Sequence, residues 1–274
     1  MGLLAIDESK CKKDGLCAAD CPVVIIRFKD KDSFPELAPG GEKMCLRCGH
    51  CVAVCPHGAL SHAEVPLAKS LPIHKEASVN HEQAVQFLRS RRSVRRFKDK
   101  PVEKETLQQL IEIARYAPTA SNTQLLEWIV INDKEQIRGL SELAIEWMRQ
   151  VLEKDPEPVS APYLPLLVVA WDMGMDVILH GAPSLVVASA PKEDSNGMVD
   201  LTLALSYLEL AAPSLRLGTC WAGLLQGALR SSEPLKQALG IPEGHPHHYP
   251  MMIGYPKVKY YRMPERKEPK ITWK

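Results

Sequence analysis

At 274 residues, 45% hydrophobic and 24% charged, the chain has enough length for one large domain or two ordinary ones and the makeup of a folded protein, which excludes a disordered tail or a fibrous repeat. Lysine and arginine number 34 against 33 acidic residues, a formal charge of +1, so no overall field favours nucleic acid or an anionic bilayer. The longest apolar stretches, Leu164 to Trp171 and Ser184 to Ala190, fall well short of the roughly 20 residues of a membrane helix. Asp7, Glu8 and Lys10 interrupt the start too early for a signal peptide, and Ile6 spoils the myristoylation pattern after Gly2. The expectation is a cytoplasmic protein with neither nucleic-acid nor membrane partners.

Seven of the eight cysteines lie between Cys11 and Cys55. One group reads Cys45-x2-Cys48-x2-Cys51-x3-Cys55-Pro56, a spacing that sets thiolates around an iron–sulfur cubane while the proline turns the chain away. In the two-cluster pattern the fourth cysteine of each run serves the other cluster, so one run implies a second. That second run is Cys11-x2-Asp14-x2-Cys17-x3-Cys21-Pro22, with aspartate in place of the second cysteine. Disulfides fit poorly with an odd number of clustered cysteines in a cytoplasmic chain. Structural zinc calls for separated CxxC pairs rather than a continuous CxxCxxCxxxCP.

Residues 5 to 62 therefore resemble a bacterial dicluster ferredoxin. The resemblance implies one complete set, Cys45, Cys48, Cys51 and Cys21, holding a 4Fe-4S cluster. The other set is Cys11, Cys17 and Cys55, with Asp14 as the fourth ligand. A carboxylate is a harder donor than a thiolate, so the iron beside Asp14 should be more exchangeable. Three occupants stay open there: a four-iron cluster with Asp14 bound, a four-iron cluster with water, or a 3Fe-4S cluster. Asp14-Gly15 is also an ordinary turn pair. Cys220, in Gly218-Thr219-Cys220-Trp221, reads as a small buried residue.

From His62 to Val79, Pro66, Pro72 and scattered charges mark a connector, giving domains at 1–62 and 80–274 with a linker at 63–79. Asn80 caps a helix with Gln83 as its capping-box partner and Ala84, Val85 and Leu88 on one face. It ends in Arg91-Arg92-Ser93-Val94-Arg95-Arg96-Phe97, where cations also suit a helix C-terminus. A second helix carries Leu107, Leu110, Ile111 and Ala114 and stops at Pro118. A small polar loop, Thr119 to Gln124, leads to a strand at Trp128 to Ile131. Asp200 to Leu217, apolar on nearly all faces, reads as a buried helix bent at Pro213.

This order resembles the FMN-dependent nitroreductase family over residues 80 to 274. The resemblance implies an α+β fold, a small ferredoxin-like domain followed by a mixed, mainly antiparallel sheet flanked by helices. It also implies FMN held through its phosphate and ribityl chain by Arg91, Arg92, Ser93 and Arg95, whose guanidiniums and hydroxyl are charge-assisted donors. Pro118, Thr119, Asn122 and Gln124 would meet the flavin, Trp221 and Gly223 would pass its ring, and a basic tail with Arg262, Arg266 and Lys267 would return to the phosphate. The family further implies a homodimer, for which the Asp200 to Leu217 helix offers a core. The usual central lysine and asparagine contacts have no counterpart that can be located in 141–176.

No GxGxxG follows a strand, so a nicotinamide-binding fingerprint is absent. The expected route therefore runs from an external redox donor, such as a ferredoxin or reductase, through two clusters to FMN and then to an electron-poor small molecule of nitro or quinone type, with the flavin carrying the chemistry. The alternatives are a dehalogenase-like member of the same superfamily and a redox sensor or electron carrier acting on a protein partner. Gly244-His245-Pro246-His247-His248 has the composition of an exposed loop. Tyr249 and Tyr255 are candidates for a proton source; no catalytic side chain is named.

Overall fold

The computed structural model describes residues 2–274. The chain divides into two compact units: Met1–Val79 with Ser121–Thr123, and Asn80–Ala120 with Gln124–Lys274.

The first unit is built from very short pieces: β1 (Leu4–Ile6), α1 (Leu16–Ala19), β2 (Ile26–Arg27), β3 (Glu36–Leu37), α2 (Gly41–Met44), α3 (His50–Ala53) and β4 (Leu60–His62). β1 pairs antiparallel with β4, and β2 with β3. The two cysteine runs repeat one backbone path at an offset of 34 residues. Lys13 and Gly15 have φ of 56° and 77°, and Arg47 and Gly49 have 53° and 73°; Val24 at 53° matches Gly58 at 56°. Left-handed backbone is disfavoured for residues with a side chain, so its recurrence at equivalent positions shows that both runs are folded into the same turn. Asp14 occupies in the first the place of Cys48 in the second.

The second unit begins with α4 (His81–Ser90), where Asn80 and Gln83 form the expected capping box. α5 (Lys104–Ala114) closes four residues before Pro118, with turn bonds from Tyr116 N to Ile113 O and Ala117 N to Ala114 O absorbing the difference. Next come β5 (Glu127–Ile131), α6 (Lys134–Lys154), α7 (Leu164–Asp172), β6 (Ser184–Ala190), α8 (Gly197–Ala211), β7 (Gly218–Trp221), α9 (Gly223–Leu229), α10 (Glu233–Leu239) and β8 (His247–Gly254). The sheet has the order β5-β6-β8-β7 and is antiparallel throughout.

Every residue of β6 is buried, because helices cover both faces of the sheet. Leu185 and Val187 join one core with Ile145, Met148 and Leu225, whereas Val186 and Ala188 join the other with Leu110, Leu201, Leu205 and Leu208. That alternation follows the period-2 geometry of a strand. Each fully buried leucine contributes about 1.5–3 kcal/mol.

α8 starts earlier and stops earlier than Asp200 to Leu217. Its α-helical part ends at Ala211, and Ala212–Leu215 tightens into a 3₁₀ turn around Pro213, closed by Arg216 with φ 62°. Together, Gly197–Leu215 is the one run among the described residues long and apolar enough to cross a membrane by length and composition, which the sequence reading did not expect. Its Leu201, Leu205 and Leu208 are fully buried against α5 and the sheet, while Val199 and Tyr207 are exposed. The histidine-rich segment also departs from expectation. His247 and His248 open β8, paired with Ala190 and Ser189, and His248 is buried.

Tyr255, just past β8, donates to the Glu103 carboxylate at 2.6 Å, and Lys100 lies 3.3 Å from it. The Tyr255 hydroxyl, then Lys100, hold the Glu103 carboxyl at about 2, against an ordinary 4.5. Stability from this tie is complete above the unfolded value and fades as pH falls toward 2. In Tyr255→Phe, a ¹³C NMR titration should find the Glu103 carboxyl moved up toward 4.5; an unmoved titration would mean that the phenol plays no part.

Candidate functional site

The first unit contains two small cavities. One is lined by Cys21, Cys45, Cys48 and Cys51, with His62 beside them. The other is lined by Cys11, Asp14, Cys17 and Cys55, with His57 beside them. Each cavity thus gathers one ligand set, and each set draws a cysteine from the opposite run. Among the described residues no three such groups converge closely enough to hold a single metal ion. Side chains arranged around a volume, rather than a point, suit a cluster better than tetrahedral zinc.

Crowding shows in the thiols themselves. Burial, with Cys48 and Cys45 adding like charge, pushes Cys51 up to about 11. Burial raises Cys17 as well, with Cys11, Asp14 and Cys55 adding to it. A cationic centre in each cavity reverses that preference and favours deprotonated sulfur. Backbone N–H groups already point at sulfur: Arg47 N at 3.4 Å from Cys45 Sγ and Ala59 N at 3.4 Å from Cys55 Sγ. Such bonds tune cluster potential. His62 Nε2 lies 3.5 Å from Cys45 Sγ, while its Nδ1 accepts from Glu64 N and Val65 N. Sequence spacing alone did not single out His62 or His57. Asp14 plays two parts: Oδ1 accepts from Leu16 N at 3.2 Å, as in a turn, and Oδ2 lies 3.5 Å from His57 Nε2.

In the second unit, the basic segment after α4 lies against β7. Val94 N donates to Thr219 O at 2.8 Å, and a Cβ on Gly218 would meet Val94 Cγ2 at 2.5 Å and Pro256 Cγ at 3.0 Å. Only glycine allows this approach. A cavity of about 220 Å³ is lined by Ser90, Arg91, Arg92, Glu209, Gly218 and Tyr260, among others. Arg91 does not face it as an unpaired cation. Its Nη1 lies 3.0 Å from Glu209 Oε1, and Glu209 Oε2 accepts from Trp221 Nε1 at 3.0 Å. Glu209, on α8 and buried, thereby ties the start of the basic segment to the end of β7. It was not among the residues read from sequence; an isolated glutamate in an apolar helix was the available signal.

Arg92 lies over the Tyr260 ring, and the Tyr260 hydroxyl reaches the Ser93 carbonyl. The tail does return along this segment, but through Tyr260 and through Glu265, 3.8 Å from Arg89; Arg266 and Lys267 are exposed. Ser93 and Arg95 flank the Cys220 thiol, which burial pushes up and those two groups pull back. Arg95 also faces His180, whose ring is held neutral mainly by burial, with Asp176 opposing. Asp176 in turn accepts from Ile178 N, Leu179 N and Gly181 N. This turn, immediately after 141–176, went unread in the sequence.

In the polar loop, Gln124 N donates to Thr119 Oγ1 at 3.1 Å, and Ala120 N donates to Asp200. Ser121, Asn122 and Gln124 all have left-handed φ, 51° to 56°, a strain that tends to mark functional sites. Ser121–Thr123 group with the first unit, within which the Asn122 amide donates to the carbonyls of Leu46 and Arg47. Trp221 stacks edge-on with Tyr249 at 5.1 Å, and Gly223 is open apart from Tyr249 Oη at 3.5 Å from where a Cβ would stand. Of the two tyrosines, Tyr255 is engaged with Glu103 and Tyr249 borders Gly223.

These features define an α+β redox class of protein: a unit with two thiol-lined cavities, followed by a helix-covered antiparallel sheet. Comparison with known proteins agrees. The nitroreductase family model matches residues 88–255 and a 4Fe-4S dicluster domain model matches 9–60. The chain belongs to the nitroreductase family and carries an N-terminal dicluster ferredoxin domain. An FMN reductase (NAD(P)H) of Bacillus subtilis is 29% identical over 194 residues, 66% of this chain and 69% of that protein. A nitroreductase with bound FMN from Bacteroides fragilis shares the fold at TM-score 0.58 and 21% identity, over 71% of this chain and 98% of that one. A second, from Desulfitobacterium hafniense, gives 0.56 and 24% over 72% and 99%.

Glu209→Ala leaves Arg91 and Trp221 without their shared acceptor. The expected loss is roughly 3 kcal/mol of stability in urea unfolding, with Glu209→Gln recovering part of it by keeping an acceptor oxygen. A loss under about 0.5 kcal/mol would place the pair among ordinary surface ion pairs.

Proposed function

We propose that this chain is an FMN-dependent iron–sulfur oxidoreductase that takes electrons from an external donor, such as a ferredoxin or reductase, and delivers them to an electron-poor small molecule of nitro or quinone type. The observation that carries the reading is the pair of cavities, one lined by four cysteines and the other by three cysteines and Asp14, on the same chain as a nitroreductase unit. When bound, the clusters and FMN together supply the conversion of single-electron delivery into two-electron reduction.

The protein's own groups hold and orient. Cys21, Cys45, Cys48 and Cys51 hold one 4Fe-4S cluster; Cys11, Cys17 and Cys55 hold the second, either a four-iron cluster with Asp14 or water at the fourth iron or a three-iron cluster. Arg92, Ser93 and Arg95 bind the FMN phosphate and ribityl chain. Arg91, neutralised by Glu209, fixes the segment that carries them. The strip from Trp221 to Gly223 lies along the ring, free of side-chain obstruction at Gly223, and Pro118, Thr119 and Gln124 meet its edge. In this reading the protein is a cytoplasmic homodimer, with the exposed side of α8 at the interface.

A second reading of the donor has its own support: the Bacillus subtilis relative is named for NAD(P)H. Anaerobic reduction of the purified protein by NADPH, followed at the flavin absorbance, separates the two. Reduction without any added carrier favours the nucleotide, whereas reduction only through an added ferredoxin and its reductase favours the external donor.

The test of the main reading is iron, acid-labile sulfide and flavin per chain on protein purified without oxygen. About eight irons and one FMN are expected, and about seven irons would assign a three-iron cluster to the Asp14 site. Iron without flavin overturns the oxidoreductase reading and leaves an electron carrier. At Asp14, replacement by cysteine should slow iron loss under mild oxidation; an unchanged rate would reduce Asp14 to its turn bond with Leu16.

A further inference from the structure

A cavity of about 1050 Å³ opens where β8 begins, walled by α9, α10 and the segment 241–246. Its volume is at the upper end of the roughly 300–1,000 Å³ typical of small-molecule sites, and none of its lining residues was assigned to a cofactor above.

Two polar side chains in its wall are almost closed off from solvent, Gln226 at 6% and His248 at 5% exposure. Gln226 Oε1 and His248 Nδ1 are buried with no hydrogen-bond partner. Buried polar atoms are nearly always paired in folded proteins, so two unpaired ones on side chains of one cavity wall leave hydrogen-bonding capacity for a ligand. The last torsion of Gln226 is soft, so its amide can present either oxygen or nitrogen. Burial, Lys236 and His247 keep the His248 ring neutral, so it offers one donor and one acceptor.

The charged rim has a sign. Lys236 is matched by Glu233 at 3.3 Å. That leaves Lys192 and Arg230, neither in an ion pair among the described residues, against a single acid, Glu243. Leu229 and Ile241 supply apolar wall. We propose that this cavity binds a small organic anion bearing a hydroxyl or amide donor, its carboxylate held by Lys192 and Arg230 and its donor by Gln226. Tyr249 belongs both to this wall and to the surroundings of Gly223, so the anion sits beside the strip assigned above to the flavin ring. Its binding does not depend on that assignment.

The test is calorimetric titration of the full-length protein, with its cofactors, by 4-hydroxybenzoate and by its uncharged analogue 4-hydroxybenzamide. One site per chain is expected, with the benzoate bound about tenfold more tightly, since a charge-assisted pair adds to the same hydroxyl contact. Lys192→Ala with Arg230→Ala should erase the difference without weakening the benzamide, and Gln226→Leu should weaken both. Thermal unfolding checks that the variants fold. No binding of either compound, equal affinity for both, or a double variant that keeps the preference for the benzoate would each overturn the proposal. Flavin absorbance read on the same sample keeps the two questions apart: flavin-free protein that binds 4-hydroxybenzoate sustains this inference and removes the flavin reading.

Discussion

The first unit depends on how it handles seven thiols and a carboxylate in a short stretch of chain. Its core is thin: Cys17, Ile25, Ile26, Val52 and Leu60 form its buried apolar cluster, and Cys17 is itself a predicted ligand. A unit of this size seldom stabilises itself on so little apolar burial, and metal sites commonly make up the difference. The elevated pKa values of Cys17 and Cys51 express the same fact electrostatically. Deprotonated sulfur is disfavoured there unless positive charge stands in the cavity, so a bound cluster would stabilise the folded unit.

The second unit solves a different problem. Covering both faces of its sheet with helices makes β6 inaccessible, and α8, packed across one face, has to be apolar along most of its length. Its two buried carboxylates, Asp200 and Glu209, are the exceptions, and Glu209 is the one that reaches the basic segment. A carboxylate at that depth persists only when both oxygens are engaged, and they are, by Arg91 and Trp221. Removing one partner of this pair strands the other and is costly, but the intact pair adds little net stability over an apolar replacement; its effect is geometric, fixing the basic segment and the end of β7 to the same helix.

Much of this was legible in the chain. Cysteine spacing is a local code, so both groups of residues that line the cavities could be written down before any fold was known, and the offset of 34 residues reappears as matched left-handed backbone. The capping box at Asn80 is equally local. Boundaries set by packing were not readable: α5 ends at Ala114 because turn bonds close it there, and α8 gives way to a 3₁₀ turn at Ala212 under the constraint of Pro213. His247 and His248 carry loop-like composition, yet sheet pairing with β6 overrides it. Glu209, His180 and Tyr260 were missed because each acquires meaning from a partner far away in sequence, Glu209 from Arg91 at a separation of 118 residues.

The course of the tail is set by atoms other than its charges. Its basic residues suggested a return to the basic segment after α4, and the chain runs back along that segment, with Pro256 bridging Phe97 and Lys257 N bonding Arg96 O. Backbone pairing and the Tyr260 ring set that course. Arg92, already positively charged, gains from an aromatic face laid against it, whereas Arg266 or Lys267 in the same place would add like charge before any anion had arrived. An aromatic contact therefore orders the segment without adding like charge to it.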